Sequence, residues 1–423
     1  MNETSSLYTG AGLLVMVLLG YFFTRLICPR TFSQRVVWVF APGMGAGICS
    51  IIFFLFRRPM FTVEFAVFVV LFLAWLRYRS AGFRETAAWV WRTPTLGLLF
   101  VAVLGWVTAL SVVWFHKAPH GDWDGWVIWN SHARYLYRAG ALWTEHIKDT
   151  AHADYPLLLP AATVRLWRYI GADLPDASGA LCTLLAISGV LVLVGTLWYL
   201  RASPLAFVMG LVLVGTPFYM VHALGQYADV PLALYFVSTI AFICFYWEKA
   251  PMQPRFLMLA GFAAGCASWT KNEGLLFALV TSVVVVASVV WRREGYLRPL
   301  GMYFMGLLPP LACSVFFKMW FVPPTDLINQ RGSAELLAKI LDGHRYTMIL
   351  QSFVSTAWSF GHWSLHPFLP LLALILLYGV DRKMARSMGW VSGCAIVTLV
   401  LIGYFMVYVF TNYDLRYHLD TSL

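Results

Sequence analysis

Charged side chains are scarce in this 423-residue chain: Lys, Arg, Asp and Glu together make up 12% of it, about half of the roughly 25% usual in soluble domains. Apolar residues supply 60%, and the mean hydropathy is +0.71. That balance excludes a soluble domain. The seven cysteines, Cys28, Cys49, Cys182, Cys244, Cys266, Cys313 and Cys394, lie scattered through apolar runs without Cys-x-x-Cys spacing. They read as small packing residues and offer neither a disulfide framework nor a metal site. There is no P-loop, no GxGxxG after a strand, no HExxH and no GxSxG, so the common nucleotide, zinc-protease and serine-hydrolase signatures are missing. Met1-Asn-Glu-Thr-Ser-Ser6 also lacks the basic stretch of a cleavable signal, and the first apolar run is expected to stay in the protein.

What fills the chain is hydrophobic runs of about 20 residues, the length that crosses a bilayer. They fall near 7–28, 36–56, 59–77, 96–115, 178–200, 204–224, 228–247, 255–270, 273–291, 297–322, 364–380 and 389–410. The expected fold is all-α: a polytopic transmembrane helical bundle of about 12 spans, with interfacial amphipathic helices in a large outer loop. It divides into additional N-terminal spans at 1–95, a core at 96–291 that includes the outer loop 116–177, and C-terminal spans at 292–423 with an outer loop at 323–345. The net charge of +10 is spread over helix ends and forms no single patch, which argues against nucleic acid and for positive-inside orientation.

Under that rule Arg25, Arg30, Arg35, Arg77, Arg79, Arg84 and Arg92 mark cytoplasmic loops, as do Arg201, Lys249, Arg255, Arg292, Arg293, Arg298, Arg382, Lys383 and Arg386. Arg57 and Arg58, in a very short turn, are the discordant pair. The N-terminus and the 116–177 loop then face outside, together with Gln226-Tyr-Ala-Asp229, Thr270-Lys-Asn-Glu273, the 323–345 loop and the tail from Thr411. A transporter carries its ionisable groups near the midplane, in broken helices related by an internal repeat. No such repeat is visible, and Glu64 and Lys318 are the main charges expected in span centres.

Within the outer loop, Trp126, Trp129, Ala133, Leu136 and Tyr137 recur at helical spacing, with Asn130, Arg134 and Arg138 on another face. This predicts a surface-lying amphipathic helix. A second is expected after Asp154-Tyr-Pro156, setting Leu157 to Leu159, Val164, Leu166 and Trp167 against Arg165 and Arg168.

Asp122 and Asp124 follow the fourth span directly. A carboxylate there can deprotonate an acceptor hydroxyl as it attacks; it can equally cap the helix that begins at Gly125. Asp154-Tyr-Pro and Asp229-Val-Pro each place an acid two residues before a proline suited to a first helical turn, so each acid either caps locally or holds a metal or a sugar hydroxyl beside a helix start that favours phosphate. His152 reads as a surface histidine. Lys271 and Glu273 sit at a turn between spans, where the lysine either snorkels and pairs with Glu273 or stabilises a phosphate leaving group. Arg134 and Arg138 are weaker candidates for that task, and Trp358, His362, Trp363 and His366 read as an interfacial aromatic belt. The Asp122-Trp-Asp124 spacing also resembles the metal-binding acid pair of nucleotide-sugar transferases, but no soluble nucleotide-binding domain accompanies it, and a lipid-carried donor fits better.

Four segments together resemble the GT-C superfamily of membrane glycosyltransferases, which use polyprenyl-phosphate-linked sugars, and are most similar to bacterial members related to the dolichyl-phosphate-mannose protein mannosyltransferases. They are Trp123-Asp-Gly-Trp-Val-Ile-Trp-Asn-Ser-His-Ala-Arg134, Asp154-Tyr-Pro-Leu-Leu-Leu-Pro160, Tyr227-Ala-Asp-Val-Pro-Leu232 and Trp269-Thr-Lys-Asn-Glu-Gly-Leu275. The resemblance covers roughly residues 120–275. It implies Asp124 as catalytic base with Asp122 as the fallback, Asp229 as an acid orienting the acceptor or a metal, and Lys271 as the contact to the carrier phosphate. Asp154 with its neighbour Tyr155, Glu273 and Arg134 complete the substrate-binding candidates.

Three features depart from the simplest family plan. Three spans precede the one that leads into the catalytic loop. Metal use differs among members, so a divalent cation (Mg or Mn, on Asp229 and Asp122) is open. The C-terminal Asn412-Tyr-Asp-Leu-Arg-Tyr-His-Leu-Asp-Thr-Ser-Leu423 resembles a motif beyond which relatives continue. The expectation is an inverting sugar transfer to an envelope lipid, glycan or protein, in contact with membrane lipids, in a bacterial inner membrane with its site facing the periplasm or exterior. A cavity lined jointly by Asp124, Asp229 and Lys271 is expected. The alternatives are a transporter or flippase of lipid-linked sugars and a catalytically silent assembly subunit.

Overall fold

Long apolar runs become helices because a backbone surrounded by hydrocarbon must satisfy its own hydrogen bonds, and a helix does so within one segment. The computed structural model describes residues 3–80, 94–248, 252–292, 295–324, 333–359 and 386–422, with a few isolated positions between 369 and 379. In chain order the helices are α1 (Glu3–Ile27), α2 (Gln34–Leu55), α3 (Met60–Ser80), α4 (Pro94–Lys117), α5 (Ser131–Arg138), α6 (Trp143–His146), α7 (Leu158–Ile170), α8 (Pro175–Arg201), α9 (Leu205–Gly215) and α10 (Pro217–Leu224). They continue as α11 (Asp229–Glu248), α12 (Arg255–Thr270), α13 (Asn272–Trp291), α14 (Leu297–Trp320), α15 (Ser333–Leu341), α16 (Gly343–Trp358), α17 (Met388–Phe410) and α18 (Leu415–Ser422). No strand occurs among the described residues.

The protein is an all-helical, multi-pass membrane protein. Among the described residues nine helices are long and apolar enough to cross a membrane: α1 to α4, α8, α11, α13, α14 and α17. Two of the runs counted from the sequence behave differently. The run at 204–224 breaks into α9 and α10, bent by 63°, because Pro217 cannot continue the helical ladder of α9. The run at 255–270 forms α12, whose 16 residues reach only about 24 Å, short of a full crossing. Apart from those few isolated positions, the run at 364–380 lies outside the described residues, as do Arg84, Arg92, Lys249, Arg293, His362, Trp363, His366, Arg382 and Lys383.

Helix α12 is the hub, buried along nearly its whole length from Phe256 to Thr270. It presses against α14 closely enough that a Cβ on Gly306 would lie 1.9 Å from the Met258 carbonyl oxygen, the small-residue contact by which helices associate in lipid. The main core gathers side chains from α1, α2, α7, α8 and α11 to α14, including Phe40, Phe242, Phe245 and Trp269. Trp269 donates its indole N–H to Ser50 at 2.8 Å. Outward apolar side chains on α3, α4 and α17, such as Phe65, Trp106 and Leu401, stay exposed and form the surface that a bilayer covers. All seven cysteines are unpaired, and five are buried.

Several local expectations need correction. The loop after α4 does contain a helix, but its first turn, Gly125–Asn130, is a π-helix. The wider π turn shifts the register, so Trp126 points out at 53% exposure while Asn130, expected on a polar face, is buried. Helix α7 is not a surface helix: every residue from Leu158 to Trp167 is buried, Arg165 included. Arg165 donates from Nε to Glu64 Oε2 at 2.7 Å, makes a second, shorter bond through Nη2, and donates to the Gly12 carbonyl at 2.9 Å. Glu64 is therefore no mid-span charge. It stands near the start of α3 and fastens that helix to α1 and α7, while Lys318 lies in the last turn of α14. The 323–345 segment is helical over α15 and the start of α16, and residues 325–332 lie outside the described residues.

Candidate functional site

The ends of α4, α10, α11, α12, α13 and α14 meet at one end of the bundle, beneath the long loop. Two irregular stretches are stitched together there. Asn130, buried at the end of the π turn, donates to the His120 carbonyl at 3.0 Å and to Gln226 Oε1 at 2.9 Å, and Gln226 donates to the Pro119 carbonyl at 3.0 Å. The backbone N–H of Asp122 donates to the Gly225 carbonyl at 3.1 Å. This docking needs glycine: a Cβ on Gly125 would lie 2.1 Å from the Gly225 oxygen, and Gly121 has φ +77°. The stretch carrying Asp124 is thus laid against the one that leads into Asp229.

Asp229 opens α11, with Pro231 in its first turn as the spacing predicts. Its Oδ1 accepts from Lys271 Nζ at 2.9 Å, and Lys271 reaches Glu273 Oε1 at 3.1 Å. The Lys271 side chain is 12% exposed, whereas that of Asp229 is 40% exposed. Lys271 also lies over the Tyr155 ring, 5.9 Å from its centre. Burial works to lower the pKa of Lys271, but Asp229 and Glu273 outweigh it and hold the ammonium charged, its pKa raised well above the ordinary value.

Asp124 is half-buried and near enough to feel the charges of Lys271, Asp229, His152 and His222. Although it stands at the N-cap of the π turn, its carboxylate makes no capping bond, and among the described residues no hydrogen bond or ion pair engages it. Burial raises its pKa above the ordinary 3.8, with Lys271 pulling it down and Asp229 pushing it further up. Asp122 is different: it is exposed, and its Oδ1 accepts from the backbone N–H of Trp123 at 2.8 Å.

Asp154 is buried, and its role is to tie elements together. Asn272 donates to its Oδ2 at 2.7 Å, and Lys318 donates to its carbonyl at 2.8 Å and approaches Oδ2 at 3.5 Å. It caps nothing, since α7 begins at Leu158 with Leu157 at its N-cap; the expected first-turn place of Pro156 is wrong because Pro156 precedes that N-cap. Tyr155 is sandwiched between Trp129 (5.5 Å) and the exposed ring of His152 (4.8 Å). Burial, then Glu273, raises the pKa of Tyr155. His152 itself holds a left-handed φ of +50°, a strained conformation of the kind that collects at functional sites.

Arg134 stands apart from this cluster. Its guanidinium pairs with His120 Nδ1 at 2.8 Å, and the charges it feels are those of Arg138 and Asp173. Arg138 bonds Asp173 at the exposed surface. Arg57, discordant with the positive-inside rule, bonds the Leu136 carbonyl at 3.5 Å and lies over the Trp143 ring at 4.2 Å, fastening the loop to α2. Among the described residues no group of three or more His, Cys, Asp or Glu is gathered to hold a metal ion. Of the two acids open to a cation, Asp122 faces solvent and Asp229 is bonded to Lys271. An apolar pocket in the bundle lies elsewhere, between α4, α8, α9 and α10, lined by Leu104, Val107, Val190 and Tyr219 among others.

Sequence reading thus singled out the acids and the lysine but missed what assembles them. Asn130, Gln226 and the three glycines carried a faint signal in the π-prone Gly-Trp-Val-Ile-Trp-Asn run and in Gly225-Gln226. Comparison with protein-family models, with curated proteins and with solved structures finds no match to this chain.

Proposed function

We propose that this protein is an inverting glycosyltransferase that moves a sugar from a polyprenyl-phosphate carrier to an envelope lipid, glycan or protein, at the face of a bacterial inner membrane turned to the periplasm or exterior. The observation that carries the reading is Asp124: a half-buried carboxylate with no partner of its own among the described residues, near a lysine kept charged by two other acids. Asp124 takes the proton of the acceptor hydroxyl as that oxygen attacks the anomeric carbon. The bond from this carbon to the carrier phosphate breaks, its electron pair goes to the phosphate oxygen, and Lys271 neutralises the charge that develops. Attack from the face opposite the phosphate inverts the anomeric carbon. Asp229 positions Lys271; Arg134, held by His120, takes no part.

The test is sugar transfer from radiolabelled polyprenyl-phosphate sugars to membrane acceptors, comparing wild type with Asp124→Asn at matched expression. Loss in the variant supports the base; equal transfer by both proteins removes Asp124 from the chemistry. A second reading, a flippase or transporter of lipid-linked sugars, draws on the 63° break between α9 and α10, since discontinuous helices line transport sites. It predicts movement of lipid-linked sugar across proteoliposomes with no covalent product.

A further inference from the structure

Glu273 has two carboxylate oxygens with different circumstances. Oε1 receives Lys271; Oε2 is buried and, among the described residues, accepts no hydrogen bond. A buried polar atom without a partner is costly and uncommon, and it asks for a reason.

Tyrosines from α17 and from the long loop stand near Glu273. Helix α17 packs along α11 and α13, and Gly403 sits so close to Leu276, one turn along α13 from Glu273, that an added Cβ would lie 2.6 Å from its Cδ2. This contact sets Tyr404, and Tyr408 one turn further on, alongside Glu273, and both tyrosines feel the charges of Glu273 and Lys271. Tyr155 approaches from the long loop, backed by Trp129. None of the three phenol hydroxyls forms a hydrogen bond among the described residues.

From this arrangement we infer that Glu273, Tyr155 and Tyr404, with Tyr408 at the edge, form a saccharide-binding subsite in which Glu273 Oε2 accepts a hydrogen bond from a ring hydroxyl. A phosphate at Lys271 offers Oε2 no donor, and a hydrocarbon chain leaves Oε2 unpaired. A polyhydroxylated ring satisfies both halves: its C–H face rests on the Tyr404 ring, and its hydroxyls pair with the carboxylate and the phenols. The inference deepens the transfer reading by naming what holds the transferred group, and binding can be measured without transfer.

The experiment uses the full-length protein in lipid nanodiscs and a panel of methyl hexosides and pentosides, with cyclohexanemethanol as the hydroxyl-poor control, read by saturation-transfer NMR. At least one glycoside binds wild type. Its affinity falls about tenfold in Glu273→Gln, the size of one lost charged hydrogen bond, and falls further in Tyr404→Ala. Removing one ring hydroxyl weakens binding to wild type and has no effect on Glu273→Gln. Thermal melting of each variant confirms that it is folded. Absence of glycoside binding to wild type, or equal binding by wild type and both folded variants, overturns the subsite. Glycoside binding without any sugar transfer overturns the transfer reading alone.

Discussion

Asn130 and Gln226, 96 residues apart, share a buried hydrogen bond of 2.9 Å that joins the stretch bearing Asp124 to the stretch that leads into Asp229. A buried amide pair of this kind is directional: either partner, once removed, leaves the other unsatisfied. Asn130→Leu is expected to lower stability by about 1 to 3 kcal/mol and to speed hydrogen exchange in 118–130 and 224–228 together. Exchange that rises in one stretch alone would show that they do not move as a unit.

Gly125 tests the same junction sterically. The Cβ of an alanine there meets the Gly225 carbonyl oxygen at 2.1 Å, far inside contact distance, so the loop must lift. Gly125→Ala is expected to cut transfer at least tenfold, the cost of misplacing a base by a fraction of an ångström, with the bundle still folded. Limited proteolysis of the 116–130 stretch checks the lift. Full activity in the variant would mean that the junction does not position Asp124.

The pH dependence follows from Asp124. Its pKa is raised above 3.8 chiefly by burial, and a general base works only when ionised. Transfer is therefore expected to rise with pH through that raised value and to be lost below it. The contribution of this group to stability runs the opposite way: the folded state holds its proton more tightly than the unfolded chain, so that contribution is full below pH 3.8 and declines as pH rises through the raised pKa. Asp124→Asn should accordingly melt no lower than wild type at neutral pH while losing transfer. A lower melting temperature would assign Asp124 a structural role.

Lys271 is expected to matter more for stability alone than together with its partner. Lys271→Met leaves Asp229 and Glu273 facing each other without a cation, whereas Lys271→Met with Asp229→Asn removes one of the two charges as well. Melting curves in detergent should place the double variant above the single. The reverse order would show that the pair contributes little, as exposed ion pairs often do.

The buried Arg165 and Glu64 pair lies away from the candidate chemistry and probes the fold. Glu64→Gln strands a fully buried guanidinium and is expected to cost about 3 to 5 kcal/mol, whereas replacing both residues with leucine should be near neutral. Thermal unfolding of the three proteins decides this. A harmless Glu64→Gln would mean that the Gly12 carbonyl and Tyr169 suffice to hold Arg165.

Hydrophobic run length alone made nearly every long helix legible, because spanning a bilayer demands about 20 apolar residues whatever the helix touches. Asp124, Asp229 and Lys271 were legible as well, since ionisable groups stand out in a chain so poor in charge. Periodicity failed where local geometry or context overrode it. The π turn at Gly125–Asn130 rotated Trp126 out and Asn130 in, and α7 looked amphipathic until its arginine met Glu64 from α3.

The chain by itself determined the class of the molecule, its helices and the residue types available for chemistry, because composition and run length act locally. Only tertiary structure decided which acid stays unpaired. Asp122 bonds Trp123, Asp154 holds Asn272 and Lys318, and Asp229 holds Lys271, while Asp124 has no partner among the described residues. Each of the last two links joins residues far apart in the chain, and no spacing within a window encodes such a contact.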